Sequence, residues 1–141
     1  MTNPYIRILM ADDDPEDLEL IEENILLVEP RARLDKFMDG LSAYEYLRSR
    51  PDTELPSLIV LDYNMPGLTG SEVLSSLKTG KRYTSIPKII LSNSNTEKFV
   101  RESMNNGASE YIVKPGSMEE IHDLAKKLVS LAVEGHQSTG K

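Results

Sequence analysis

Four places along the chain put an acidic, hydroxyl or basic side chain directly after an apolar run. Asp12-Asp13-Asp14 follow Ile6-Arg7-Ile8-Leu9-Met10-Ala11, and Asp62 follows Leu58-Ile59-Val60-Leu61. Ser92-Asn93 follow Lys88-Ile89-Ile90-Leu91, and Lys114-Pro115 follow Glu110-Tyr111-Ile112-Val113. Carboxylates brought together repel one another unless positive charge sits among them. The chain has no cysteine, and its two histidines, His122 and His136, lie outside these segments, so a metal held here would have oxygen ligands. An oxygen donor set selects a hard cation, Mg²⁺ or also Mn²⁺. Beside such an ion Asp62 is a candidate nucleophile towards phosphorus, because carboxylates form aspartyl phosphates. Lys114 can bring a second positive charge to a phosphoryl oxygen, and the Ser92 hydroxyl a hydrogen bond to another.

These residues meet only if the apolar runs lie side by side, and the segments between them read as the helices that would arrange this. Pro15 to Glu29 has Asp14 as N-cap, Pro15 at the first helical position, and Leu18, Ile21, Ile25 and Val28 on one face. A short strand is expected over Arg33 to Phe37, then a helix including Ala43 to Arg48, opened by Asp39-Gly40 or Ser42. Thr69-Gly70-Ser71-Glu72 has the capping-box pattern and starts a helix to about Lys78. Thr96 to Asn106 is the next helix, stopped by Gly107; Ser117-Met118-Glu119-Glu120 opens the last, with Ile121, Leu124, Leu128 and Leu131 as its stripe. Five strand–helix alternations with short connections imply an α/β fold, a parallel sheet with helices on both faces. Ligands in such folds bind beyond the carboxyl ends of the strands. All four groups are therefore expected on one rim.

The 141 residues suit one domain, with a core of about residues 6–132 and a polar, frayed tail over 133–141. A net charge of −7 argues against non-specific binding to nucleic acid, whose phosphates it would repel. No apolar run approaches a membrane span, and Met1-Thr2-Asn3-Pro4-Tyr5 lacks a leader pattern, so a cytoplasmic protein is the default expectation.

With these segments in view, the chain resembles the response-regulator receiver family of two-component signalling, the CheY-like fold. The resemblance rests on Ile8 to Pro15, Leu58 to Gly70, Pro87 to Ser92 and Gly107 to Pro115, and spans about Ile6 to Leu131. It implies a doubly wound (βα)5 sheet in the order 2-1-3-4-5. It also implies that Asp12 and Asp13 form the acid pair, with Asp13 binding Mg²⁺ directly and Asp12 through water. Asp62 would be phosphoacceptor and metal ligand, with the backbone carbonyl of Asn64 completing the protein ligands. Ser92 stands where the family has Thr or Ser, Lys114 matches the family lysine, and Lys114-Pro115 resembles a bond that is commonly cis. Tyr111 falls on the switch aromatic, while Asn64 and Ser94 occupy positions that influence loss of the phosphoryl group. The implied partners are a histidine kinase or phosphotransfer protein, a downstream protein target, and a homodimer through the fourth helix, fifth strand and fifth helix. The stretch Thr79 to Pro87 is longer than in minimal receivers. With no output domain attached, it suggests the small single-domain regulators serving phytochrome-like or hybrid kinases. Asn93 is larger than the residue often found there, and crowding of the phosphoryl site or of Tyr111 is expected.

Plainer roles stand beside these. Asp12 and Asp13 could be helix-start acids, favoured there by the helix dipole, and Asp14 is mainly a cap. Tyr111 reads most simply as a half-buried strand aromatic, His122 as helix surface, Lys78–Arg82 as a solvated loop, and Met10, Met38 and Met104 as core or near-core packing. Three other functions compete. A phosphohydrolase with an aspartyl nucleophile would want a second acid where Asn64 stands, and an FMN carrier would want a phosphate loop where the three aspartates stand. The third is a degenerate receiver acting as a phosphorylation-independent interaction module.

Overall fold

The computed structural model describes residues 6–139. Met1–Tyr5, read above for a leader, and the end of the expected tail at Gly140 and Lys141 lie outside the described residues. The chain alternates β1 (Ile6–Ala11), α1 (Pro15–Val28), β2 (Ala32–Phe37), α2 (Gly40–Ser49), β3 (Leu58–Asp62), α3 (Gly70–Leu77), β4 (Lys88–Ser92), α4 (Glu97–Asn105), β5 (Glu110–Val113) and α5 (Met118–Thr139). The strands form one parallel sheet in the order β2-β1-β3-β4-β5. The expected fold and strand order are both present.

Strand alternation divides the core. Ile8, Met10, Leu58, Val60, Ile89 and Leu91 face α1 and α5, packing on Leu18, Ile21, Ile25, Leu124 and Leu128. Leu9, Ala11, Ile59, Leu61 and Ile90 face the other way, onto Ala43, Leu47, Val73, Leu74 and Leu77. With both faces covered, all residues of β3 and β4 are buried, which explains runs that are apolar without alternation. Among the described residues no helix is long and apolar enough to cross a membrane.

Local signals set the helix starts. Asp14 accepts the Glu16 N–H at 3.0 Å, and Asp39 accepts the Ser42 N–H at 2.7 Å, which fixes Asp39 as the opener of α2. Thr69 and Glu72 form the reciprocal capping box of α3. Ser117 accepts the Glu120 N–H at 3.2 Å and donates its hydroxyl to the Glu120 carboxylate at 3.0 Å. Gly107, with φ +104, takes the left-handed conformation that ends α4.

Several readings change. The last helix does not stop at Ala132 but runs to Thr139. Gly135, which reads as a tail residue, is buried: a Cβ there would stand 2.1 Å from the Ser57 carbonyl oxygen and 3.1 Å from Pro87 Cδ. A close approach, rather than looseness, accounts for this glycine. Met10 is core, but Met38 in the β2–α2 turn and Met104 on the outer side of α4 are 50% and 44% exposed. The Lys78–Arg82 run is also more than a solvated loop. Arg82 pairs with Asp52 at 2.9 Å and donates to the carbonyls of Arg48 and Arg50, tying the stretch to the end of α2, while Tyr83 next to it is buried. In β4, the buried Lys88 ammonium donates to the Tyr83 and Ile86 carbonyls at 2.6 and 2.8 Å. Thr79–Pro87 is thus anchored from both ends.

Replacing Gly135 by Ala should force α5 away from the Ser57 carbonyl and destabilise the protein by roughly 1–3 kcal/mol, the usual range for overpacking. Denaturant unfolding measures this, and an unchanged midpoint would show that α5 does not pack here.

Candidate functional site

The parallel register gathers the strand ends. Ala11 lies beside Leu61, Asp62 beside Leu91, and Ser92 beside Val113. The ladder continues past the strands: Asp12 N–H donates to Phe37 at 2.9 Å, Tyr63 N–H to Leu91 at 2.8 Å, and Lys114 N–H to Ser92 at 2.8 Å. Behind Asp62, the Gly70 N–H donates to the Tyr63 carbonyl at 2.9 Å. A side chain on Gly70 would bring Cβ to 2.5 Å from the Asp62 carbonyl oxygen, so only glycine lets α3 begin this close to the site. The functional side chains are held by backbone.

Asp12, Asp13 and Asp62 can each present a carboxylate oxygen such that all lie within 4.8 Å of one another. Asp12 and Asp62 are buried, whereas Asp13 is exposed at the mouth. Asp12 Oδ1 accepts the Asp14 N–H at 2.9 Å, and the buried Asp12 Oδ2 pairs with Lys114 Nζ at 2.8 Å. Lys114 Nζ lies 3.6 Å from Asp62 Oδ2 and 2.9 Å from Asp17 Oδ2. Burial, followed by the charge of Asp12 and opposed by Lys114, pushes the Asp62 carboxyl up to about 7. Burial works against the Lys114 charge, but its bonds to Asp12 and Asp17 and the field of Asp62 outweigh burial and raise its pKa.

A divalent cation fits this arrangement. Three carboxylate oxygen donors converge, and burial together with the charge of Asp12 raises the Asp62 carboxyl, so added positive charge is favoured among them. Only oxygen is on offer, which matches Mg²⁺ or Mn²⁺.

Ser92 is fully buried, and its Oγ accepts the Ser94 N–H at 3.1 Å. Ser94 Oγ is 2.7 Å from Thr96 Oγ1 and accepts the Thr96 N–H at 3.2 Å, which ties the loop to the start of α4. The half-buried Tyr111 donates its hydroxyl to the Ser94 carbonyl, so it holds the same loop. Asn64 and Asn93 are exposed at the rim. The Lys114–Pro115 bond is trans rather than cis, the form X–Pro bonds favour by about 0.5–1 kcal/mol. His122 is half-buried, with Nδ1 3.3 Å from Asn24 Oδ1, so it packs between α5 and α1.

Two residues at the site escaped the sequence reading. Asp17 stands three positions after the Asp14 cap, where an acid is explained by the helix start alone. Tyr63 follows Asp62 and is buried; its ring stacks on Phe99 of α4 at 4.3 Å, and its hydroxyl donates to Glu102 at 3.1 Å. Burial and Glu102 push that hydroxyl up to about 12. Nothing local marks either contact, because each partner is distant in sequence.

The response regulator receiver domain model matches residues 8–126. The two-component response regulator ARR15 of Arabidopsis thaliana is 30% identical over 97% of this chain and 67% of its own length. Among solved structures, the phosphorylated cyanobacterial phytochrome response regulator RcpA superposes with TM-score 0.83 at 26% identity, covering 92% of this chain and 94% of that one. The Mn²⁺-bound form of response regulator Rcp1 superposes with TM-score 0.76 at 28% identity, over 89% and 92%. Sheet order, acidic rim and family match agree: the chain belongs to the response regulator receiver family of two-component signalling proteins.

Proposed function

We propose that this protein is a response regulator whose receiver domain accepts a phosphoryl group on Asp62 and passes the change to partners through α4, β5 and α5. The observation that carries it is the buried Asp12–Asp62 pair facing Lys114 at the strand ends, with the exposed Asp13 beside it. The donor is a histidine kinase or phosphotransfer protein. Asp62 Oδ attacks phosphorus as the P–N bond of the phosphohistidine breaks; the imidazole nitrogen keeps the electron pair and takes up a proton.

Asp12, Asp13, Asp62 and the Asn64 backbone carbonyl would hold Mg²⁺, or Mn²⁺ in its place. When bound, the cation offsets the charge of the carboxylates and of the transferring phosphoryl group. Lys114 supplies the second positive charge. The Ser92 hydroxyl accepts the Ser94 N–H and so keeps its own proton to donate to a phosphoryl oxygen. Its engagement pulls on the loop that Tyr111 holds, which makes Ser92 and Tyr111 the switch pair. Asn64 and Ser94, flanking the acceptor and the hydroxyl, modulate loss of the group. The phosphoryl group adds about −1.5 to −2 charge, enough to bias a two-state surface.

Output is by protein contact, by a homodimer through the same face, or by relay of the group onward. In this role the chain catalyses only its own phosphorylation and dephosphorylation, in the cytoplasm, with no nucleic acid or membrane as partner.

Incubation with acetyl phosphate and Mg²⁺ should add one phosphoryl group by intact mass, with none in chelator and none on Asp62→Asn. Absence of the adduct while Mg²⁺ binds would favour a phosphorylation-independent interaction module, and an adduct on Asp62→Asn would move the acceptor elsewhere.

Stability should report the same electrostatics. The native Asp62 pKa, about 7, lies above its ordinary 3.8, so the folded state binds this proton more tightly than the unfolded one. That contribution is complete below about pH 4 and is lost as pH rises through about 7. In chelator, wild type should lose roughly 2–4 kcal/mol over this window that Asp62→Asn keeps, and Mg²⁺ should recover the loss at pH 8. Parallel pH profiles of the two proteins would contradict this.

A further inference from the structure

The Lys114 ammonium is shared unequally. It has three N–H donors, and its near contacts are Asp12 Oδ2 at 2.8 Å and Asp17 Oδ2 at 2.9 Å, with Asp62 Oδ2 further off at 3.6 Å. Asp17 enters from α1, where its position in the first turn would by itself need no partner. Its carboxylate nonetheless spans 97 positions in sequence to reach the lysine. The competitors also differ in exposure: the Asp12, Asp62 and Asp17 side chains are 3%, 6% and 34% exposed. A lysine that moves to a phosphoryl oxygen on Asp62 must loosen an existing contact. Releasing Asp12 would strand a buried carboxylate, whereas Asp17 can be taken up by water.

We propose that Asp17 is a positioning residue that holds Lys114 back from Asp62 in the unphosphorylated protein and yields it to the phosphoryl group. The proposal rests on Asp62 being the acceptor. Asp17 then sets how readily the lysine changes partner, and so how strongly the site prefers a phosphoryl-bearing Asp62.

Beryllofluoride, which coordinates a carboxylate oxygen as a phosphoryl group would, provides the probe. Its affinity would be measured by fluorine NMR on the full chain at saturating Mg²⁺, for wild type and three variants. Asp17→Asn should bind about tenfold more tightly. Asp17→Glu, which keeps a carboxylate in reach of the lysine, should return to the wild-type affinity. Glu16→Gln removes one exposed charge from the same helical turn and should leave the affinity unchanged. The proposal is overturned if Asp17→Asn binds no more tightly than wild type, if Asp17→Glu behaves like Asp17→Asn, or if Glu16→Gln matches Asp17→Asn. A wild-type protein without Mg²⁺-dependent binding would instead overturn the acceptor reading itself.

Discussion

Two aspartates, Asp12 and Asp62, are buried next to each other, and the rest of the rim is organised around the cost of that placement. Burial and mutual repulsion both disfavour two anions there, enough to hold a proton on Asp62 near neutrality. One lysine stands against the pair, and its charge cannot cancel the acids around it. A cluster left short of positive charge suits a divalent cation, and in the proposed function Lys114 supplies the second positive charge to the phosphoryl group. The backbone makes the arrangement persist: Asp12, Tyr63 and Lys114 all donate their N–H groups along the strand ladder, and Gly70 lets α3 begin directly behind Asp62. The sheet cannot relieve the repulsion by letting a strand end drift.

The same rim is wired to the surface by short side-chain links. Ser92 touches the Ser94 backbone, Ser94 touches Thr96 at the start of α4, and Tyr111 of β5 holds the Ser94 carbonyl. A second link begins one residue after Asp62, where Tyr63 lies on Phe99 and bonds Glu102. Both routes end on α4. The rim therefore meets the helix at its first residues and at its inner face, with β5 attached to the same loop.

Much of this was legible in the sequence because the signals are local. Apolar runs ending in Asp12, Asp62, Ser92 and Lys114 gave strands and site together, and Asp14, Thr69 and Ser117 marked helix starts through contacts two or three residues away. What stayed hidden depends on partners far along the chain. Asp17 looks like a helix-start acid until Lys114 is placed beside it, and Tyr63 gives no sign of Phe99. Gly135 suggested a loose tail because the Ser57 carbonyl that demands a glycine comes from another element. Met38 and Met104 read as core or near-core packing on residue type alone, but one lies in a turn and the other on the outer side of a helix, where both are exposed.

The central claim is that one cation belongs among Asp12, Asp13 and Asp62, opposite Lys114. A Mg²⁺ titration followed by amide NMR tests it most directly. The account predicts one saturable site whose shifts concentrate at 12–14, 62–64, 92–94 and 114, and which is lost when Asp13 is replaced by Asn. Shifts spread over other acidic surfaces, or a titration indifferent to Asp13→Asn, would contradict it.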